Sequence, residues 1–499
     1  SLGGHEHGKV GKSVRHKPRG SIMFGGVEHG DGHESEDDMA TSDSDYESNF
    51  TVNGRSSVDA SKSTSPYNIH LDHTLTEEEI ENLGKGKWRY SWAEPALAFP
   101  TCKWMGTGEC FLKDINGNGG LKMKLYKHWL DVFENSGGGD FHLSKQSFFF
   151  YLCNSYRDIL HCTKKPFFLK GQEEDSSVMD AYIIHSLNHV FMARHLVIKN
   201  DIKLGKHSET AKDEILATAG FLDHGFTRPK VLILLPLASI AFRVVKRLIQ
   251  LTPASCKVNV EHMERFCKNF GMEEDSDDQD SKCSKLKMPS KPRDFDILFG
   301  GNNTDSFMMG IKFTRRSIKL YSDFYSSDII VASPAGLIAK FVNAQRFKEK
   351  DVDYLSSIEV LIIDHADVMA MQNWSFVDTD VQKLNQIPVN QHGTNVMRIR
   401  LWYLEGHAKF YRQTIVLGSY LNPDINALFN HHCFNHRGKV KSVCEYKGVL
   451  SRVLLQVKQI FERFDADSIT KMDDARFEYF SKKVFPRIND SLRVALWYL

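Results

Sequence analysis

The chain has 499 residues, 41% hydrophobic and 25% charged, the balance of a protein able to bury a sizeable core in roughly two to four domains. With 64 basic against 63 acidic residues its formal charge is +1, so a polycation that coats nucleic acid by charge alone is excluded and any RNA contact must be local. Nine scattered cysteines without a C-x-x-C pair fit a reducing compartment rather than a disulfide framework, and the longest strongly apolar run, 231–237, falls far short of the ~18 residues that span a bilayer, so no membrane segment is expected.

In chain order, the first residues carry no signal-type apolar stretch, and the missing initiator Met leads us to expect that the natural N-terminus lies upstream. Residues 1–65 are rich in Gly, His, Ser and acid, with Glu34-Ser35-Glu36-Asp37-Asp38 followed by Ser42-Asp43-Ser44-Asp45. Too little apolar surface is present to offset the entropy of ordering, so a disordered acidic, Ser-rich tail is expected. Acid-flanked serines there fit phosphorylation and a plain solvated tail equally well. An aromatic-rich segment spans Trp88 to Trp129. Beyond it Val178, Ala181, Tyr182, His185, Leu187, Val190 and Phe191 recur near the helical period, predicting a helix over 178–195.

The centre has another texture. Short β-branched runs at 231–235, 329–331, 360–363 and 414–417 stand alone between helical stretches, without alternation, as strands of a sheet covered on both faces do. The helix after the first run places Ile240, Val244, Leu248 and Leu251 on one stripe. A polar stretch that turns from Glu273-Glu274-Asp275-Ser276-Asp277-Asp278 to Lys291-Pro292-Arg293 reads as a disordered charged insertion near 272–294. The predicted class is α/β, a doubly wound parallel sheet.

In such sheets ligands bind beyond the carboxyl ends of the strands. After the four runs come Pro236-Leu237-Ala238-Ser239-Ile240-Ala241, Ala332-Ser333-Pro334-Ala335-Gly336, Asp364-His365-Ala366-Asp367 and Gly418-Ser419-Tyr420. Their order and spacing resemble the DEAD-box RNA helicases, whose strings read P-T-R-E-L-A, A-T-P-G-R, D-E-A-D and S-A-T. Arg412-Gln413-Thr414 before the last strand and Pro423-Asp424-Ile425 after it agree, and Gln146 falls in the same set of degenerate motif positions. The resemblance implies a RecA-like, P-loop NTPase-type first lobe of a helicase.

The chemistry has been stripped from it. Phosphoryl transfer needs a glycine-rich loop, a lysine and a hydroxyl for Mg²⁺, whereas the candidate loop His161-Cys162-Thr163-Lys164-Lys165-Pro166 has no glycine, and Pro166 removes a donor. His365 stands where a glutamate would activate water. Ala238 and Gly336 replace the arginines that grip RNA, so the usual groove is expected to be blunted. No catalytic residue, cofactor or metal is expected, and Asp364 to Asp367 read as an inherited loop whose carboxylates cap backbone groups. The alternative is a weakly active ATP-dependent RNA helicase whose phosphate loop lies elsewhere.

Three other strings imitate sites. Gly8-Lys9-Val10-Gly11-Lys12-Ser13 has Glu6 where the first glycine of a phosphate loop belongs, and no strand precedes it. Asp114-Ile115-Asn116-Gly117-Asn118-Gly119 opens like a calcium loop but ends on Leu125 where a bidentate Glu is required. His431, His432, Cys433 and His436 lack a second half with zinc-ligand spacing and read as ordinary histidines.

Longer strings narrow the resemblance. Asp223-His224-Gly225-Phe226-Thr227-Arg228-Pro229-Lys230 and the strand after it, with Ser65-Pro66-Tyr67-Asn68-Ile69-His70, Lys103-Trp104-Met105-Gly106-Thr107-Gly108-Glu109, Asn154-Ser155-Tyr156-Arg157-Asp158, Val197-Ile198-Lys199-Asn200 and Asp474-Ala475-Arg476-Phe477, resemble the digestive-organ-expansion-factor family. These are nucleolar, helicase-like, small-nucleolar-RNA-associated proteins of the small-subunit processome. The resemblance implies a non-catalytic scaffold in pre-ribosomal RNA processing, in nucleus and nucleolus. Its implied partners are processome proteins, with small nucleolar RNA and pre-ribosomal RNA nearby. A role as a protease adaptor in nucleolar protein turnover rests on the family alone. The expected layout is a tail over 1–65, a family-specific extension over 66–140, the first lobe over 141–437 and an incomplete start of a second lobe over 438–499. Only about eighty residues follow Tyr420, fewer than such a lobe needs, so a fragment or truncated isoform is expected.

Overall fold

The β-branched runs become strands whose residues are all buried: β5 Val231–Leu234, β9 Ile329–Ala332, β10 Val360–Ile363 and β11 Gln413–Leu417. The computed structural model describes residues 65–86, 88–96, 99, 102–110, 119–162, 176–206, 221–271, 300–347, 352–444 and 460–488, with the backbone alone at Met23–Phe24 (β1) and at 343–347. Two further strands, β4 Asp158–His161 and β12 Lys439–Cys444, extend the parallel set in the order β12-β4-β11-β10-β5-β9. Beyond β9 the sheet turns antiparallel, through β7 Phe307–Phe313 and β8 Ser317–Leu320. A short β6, Asn259–Glu261, forms that edge, and β1 lies along β7.

Alternate residues of one strand enter opposite cores, which is why the runs show no polar alternation. Ile159, Val231, Ile233, Val360, Ile362 and Ile415 pack under the helices Lys145–Asn154, Ser177–Gly205 and Ala238–Leu251. Leu160, Leu232, Leu234, Leu361, Ile363 and Val416 pack under Pro334–Phe347, Ala366–Met371, Trp374–Lys383 and Pro423–His432. The sheet is doubly wound, and truncating one such residue to Ala costs about 2–5 kcal/mol. Register pairs Val360 with both Val231 and Gln413, so the strands end level and the chain turns out along one edge. Helix starts are signalled locally: Ser144 and Asn422 accept N-cap hydrogen bonds from Ser147 and Ile425, and Pro423 opens its helix.

Within the segment 66–140, β2 Trp92–Pro95 and β3 Cys102–Gly106 complete the sheet, β3 pairing antiparallel with β12. Trp104 of β3 enters the core, and the Arg157 guanidinium donates to the Thr107 carbonyl at 3.0 Å. Residues 439–444 belong to this same sheet, not to a second lobe. Val440 is fully buried there, the Lys439 ammonium donates to the Phe429 carbonyl at 2.6 Å, and the Lys439 N–H donates to Thr107 Oγ1 at 2.9 Å. The chain divides into units Ser1–Cys444 and Glu445–Leu499. In the second, helix Met472–Tyr479 continues as one π-helical stretch, Phe480–Val484, and exposes Phe477 and Phe485.

Apart from Met23–Phe24 and Ser65, the expected tail lies outside the described residues, as do the charged insertion, the Gly8–Ser13 string and 114–118 of the calcium-like loop. Among those described, no helix is long and apolar enough to cross a membrane.

Candidate nucleotide and RNA face

The motif positions gather at the carboxyl edge of the parallel strands, where the geometry answers what each side chain is free to do. Asp364 leaves β10 fully buried. Its Oδ2 accepts from the Tyr182 hydroxyl at 3.0 Å, and its Oδ1 accepts the His365 N–H at 2.8 Å, with His365 Nδ1 3.2 Å away. His365 sits in the left-handed region at φ 63°, which turns the chain sharply into the helix Ala366–Met371. Both carboxylate oxygens are engaged inside the protein, and the side chain is shielded from solvent. Asp367, half-buried, lies against Gly418: a Cβ there would stand 3.0 Å from Asp367 Oδ1. The last two strings therefore still meet, with a glycine making room. The Gly418 N–H donates to the His161 carbonyl at 3.0 Å, Ser419 is half-buried and Tyr420 is exposed.

The motif positions Ala238, Ser333 and Gly336 are packed against the chain's own backbone. Ala238 is fully buried, and its N–H donates to the Thr304 carbonyl at 2.8 Å; the Ser239 N–H donates to the Asn302 carbonyl at 2.9 Å. A helix N-terminus is a ready anion site only while such donors are free. Ser333 is buried, its hydroxyl accepting from the N–H of Phe307 at 3.0 Å and of Gly336 at 3.1 Å, which makes it a cap for Pro334–Phe347. At Gly336 a Cβ would lie 2.3 Å from the Phe307 carbonyl oxygen, so this position excludes any side chain. The Pro236 carbonyl accepts from the Gln372 amide at 3.4 Å. Gln146, buried at the start of its helix, accepts from the Trp129 indole at 2.9 Å. Of the candidate phosphate loop only His161 and Cys162 are described, and burial pushes the Cys162 thiol up to about 12.

The described segments 235–242, 300–306, 332–339, 364–382 and 418–436 hold Asp305, Asp364, Asp367, Asp378, Asp380 and Asp424, and four of these segments are followed directly by a basic residue, Arg243, Lys340, Lys383 or Arg437. Among the described residues no group of three or more His, Cys, Asp or Glu side chains is arranged to hold a metal. Cys433 is instead buried, and His436 stacks between His70 and His73 with ring centroids 4.8 Å from each.

A charged network with no counterpart among the motif strings lies at the opposite, amino end of the sheet. Glu359 there is met by Lys230 Nζ at 3.0 Å, His189 Nε2 at 2.8 Å and the Tyr403 hydroxyl at 2.7 Å. Burial works to raise its pKa, but Lys230 and His189 outweigh burial and hold the carboxyl well below the usual range. This network ties β10 and β5 to the long helix Ser177–Gly205 and serves architecture. Tyr182, Asn302, Thr304, Phe307 and Trp129 close the ligand face, and none carried a sequence signal for that role.

An open α/β sheet with the four helicase strings in order along its carboxyl edge defines a helicase-like lobe. Residues 156–440 match the family described as "UTP25, NTP hydrolase-like domain", and residues 449–496 match "Utp25, C-terminal domain". The chain belongs to the UTP25 family, in agreement with the resemblance carried by its longer strings. It is 59% identical over 470 residues to protein NUCLEOLAR FACTOR 1 of Arabidopsis thaliana, covering 92% of this chain and 62% of that protein. It is 34% identical over 441 residues to the U3 small nucleolar RNA-associated protein 25 homolog of Xenopus tropicalis, covering 86% of this chain and 54% of the relative. The chain thus spans under two thirds of the length of either relative. Among solved structures, the yeast DEAD-box splicing factor Prp28 matches over 76% of this chain and 61% of its own at 16% identity, with a TM-score of 0.32. The fold assignment rests on the strand order itself.

Proposed function

We propose that this protein is a non-catalytic, helicase-like assembly factor of the nucleolar small-subunit processome, acting in pre-ribosomal RNA processing through contacts with processome proteins. Two relatives support the setting: one is named a nucleolar factor, the other a U3 small nucleolar RNA-associated protein. One observation carries the non-catalytic half of the reading, the Asp364 carboxylate sealed between the Tyr182 hydroxyl and the His365 N–H. A metal-assisted phosphoryl transfer requires that carboxylate to orient a metal-bound water, and a fully buried, doubly engaged Asp364 does not present one.

The reading is tested in cells depleted of their own copy and supplied with the full-length protein carrying Asp364→Asn, an isostere that keeps the Tyr182 hydrogen bond. Normal pre-ribosomal RNA processing is expected, with in-cell crosslinks falling on U3-containing pre-ribosomes. Loss of processing with an intact, correctly assembled variant, or crosslinks outside pre-ribosomes, overturns it.

A further inference from the structure

A cavity of about 250 Å³ opens on the carboxyl edge of the sheet, lined by Asp305, Pro334, Ala335, Met369, Gln372, Asn373 and Phe376. Its position, beside the capped N-terminus of Pro334–Phe347, is one where an RNA-binding lobe would present phosphate donors. Here its chemistry is reversed. Pro334, Ala335, Met369 and Phe376 give apolar walls, and the charge at the rim is Asp305, an exposed carboxylate. Asp305 is the charged residue among these lining residues, and Lys340 of the same helix turns to the Phe324 ring, 5.6 Å from its centroid. Exposed Met371 and Leu421 lie in the segments 364–382 and 418–436.

We propose that this cavity takes the side chain of an arginine or lysine projecting from an extended basic segment of a partner protein. A long basic side chain has the required form: its methylene stem packs on Met369 and Phe376 while its charged head meets Asp305. Complementarity of sign favours a cation over the polyphosphate backbone of RNA, which would set an anion against the Asp305 carboxylate. The inference rests on the non-catalytic reading, since it assigns to protein docking a face that a working helicase would need for RNA.

The test uses the intact chain with its methionine methyl groups labelled with ¹³C, and three probes: a synthetic peptide of alternating arginine and leucine, its citrulline counterpart, and single-stranded oligouridylate. The arginine peptide should move the Met369 methyl resonance saturably, with binding weakened ~10-fold or more by citrulline or by Asp305→Lys. Ala335→Met, which fills the cavity and leaves Asp305 in place, should weaken it comparably. Equal binding of the citrulline peptide, a stronger response of Met369 to oligouridylate, or a Met369 resonance indifferent to all three probes each overturns the proposal. None of these outcomes bears on nucleotide turnover, so the non-catalytic reading stands or falls separately.

Discussion

The hydroxyl of Tyr182 donates to the carboxylate of Asp364 at 3.0 Å, and both side chains are fully buried. The two residues are 182 positions apart, joined by the long helix packed on the sheet. The start of the Asp364-His365-Ala366-Asp367 string is thereby part of the core. Tyr182→Phe should lower unfolding stability by about 1–3 kcal/mol, the usual cost of depriving a buried carboxylate of a donor. Chemical denaturation measures it, and a change within error of zero would show that the hydrogen bond does not hold Asp364.

Restoring the helicase residue should damage the fold rather than revive the groove. At Gly336 even a methyl group meets the Phe307 carbonyl at 2.3 Å. Gly336→Ala should destabilise by about 1–3 kcal/mol through forced displacement of β7, and Gly336→Arg by at least as much. Thermal melts of both variants, with an RNA-binding assay on whatever remains folded, check this. A stable Gly336→Arg protein that binds RNA tightly contradicts the closed-face account.

The strands were legible because a parallel sheet buried on both faces leaves continuous apolar runs, and 360–363 and β10 coincide residue for residue. The helix predicted over 178–195 runs on to Gly205, since its last turns carry Lys199, Asp201 and Lys203 on a solvated surface that breaks the apolar period. The edge strands escaped notice. Their sign was present in Trp88, Tyr90 and Trp92 at every second position, the first two lying under Lys439 and Lys441 at 4.5 and 4.4 Å, but a lone alternating edge is hard to separate from a loop. The motif positions themselves were readable as strings. What closes them was not, because Asn302 and Thr304 act through backbone carbonyls, which no side-chain pattern records.

The Glu359 network gives a pH signature with a definite sign. Its folded pKa lies below the ordinary 4.5, so its contribution to stability is complete above that value and is lost as pH falls through the depressed folded pKa. Lys230→Met leaves a buried carboxylate short of its main counter-charge and should cost about 3–5 kcal/mol at neutral pH. That deficit should shrink below pH 4.5, where Glu359 in the variant takes up a proton. Denaturation of both proteins across that range decides it, a pH-independent deficit being the contrary result.

Asp380 presents the opposite case. On the helix Trp374–Lys383 it is fully buried, and among the described residues neither carboxylate oxygen has a hydrogen-bond partner; burial raises its pKa well above 3.8. A raised folded pKa means that stability falls as pH rises from 3.8 toward the folded value. Asp380→Leu should therefore stabilise the protein at neutral pH, by about 1–3 kcal/mol, and should gain less in acid. A destabilised variant at neutral pH would assign the carboxylate a partner that the fold does not show.

Equilibrium binding of Mg-ATP to the intact chain, read together with phosphate release in the presence and absence of single-stranded RNA, tests the central claim most directly. With Asp364 sealed in the core, no saturable binding is expected up to about 1 mM nucleotide, and no release above buffer. Micromolar affinity with RNA-stimulated release that Asp364→Ala abolishes would contradict the account and establish a working helicase site.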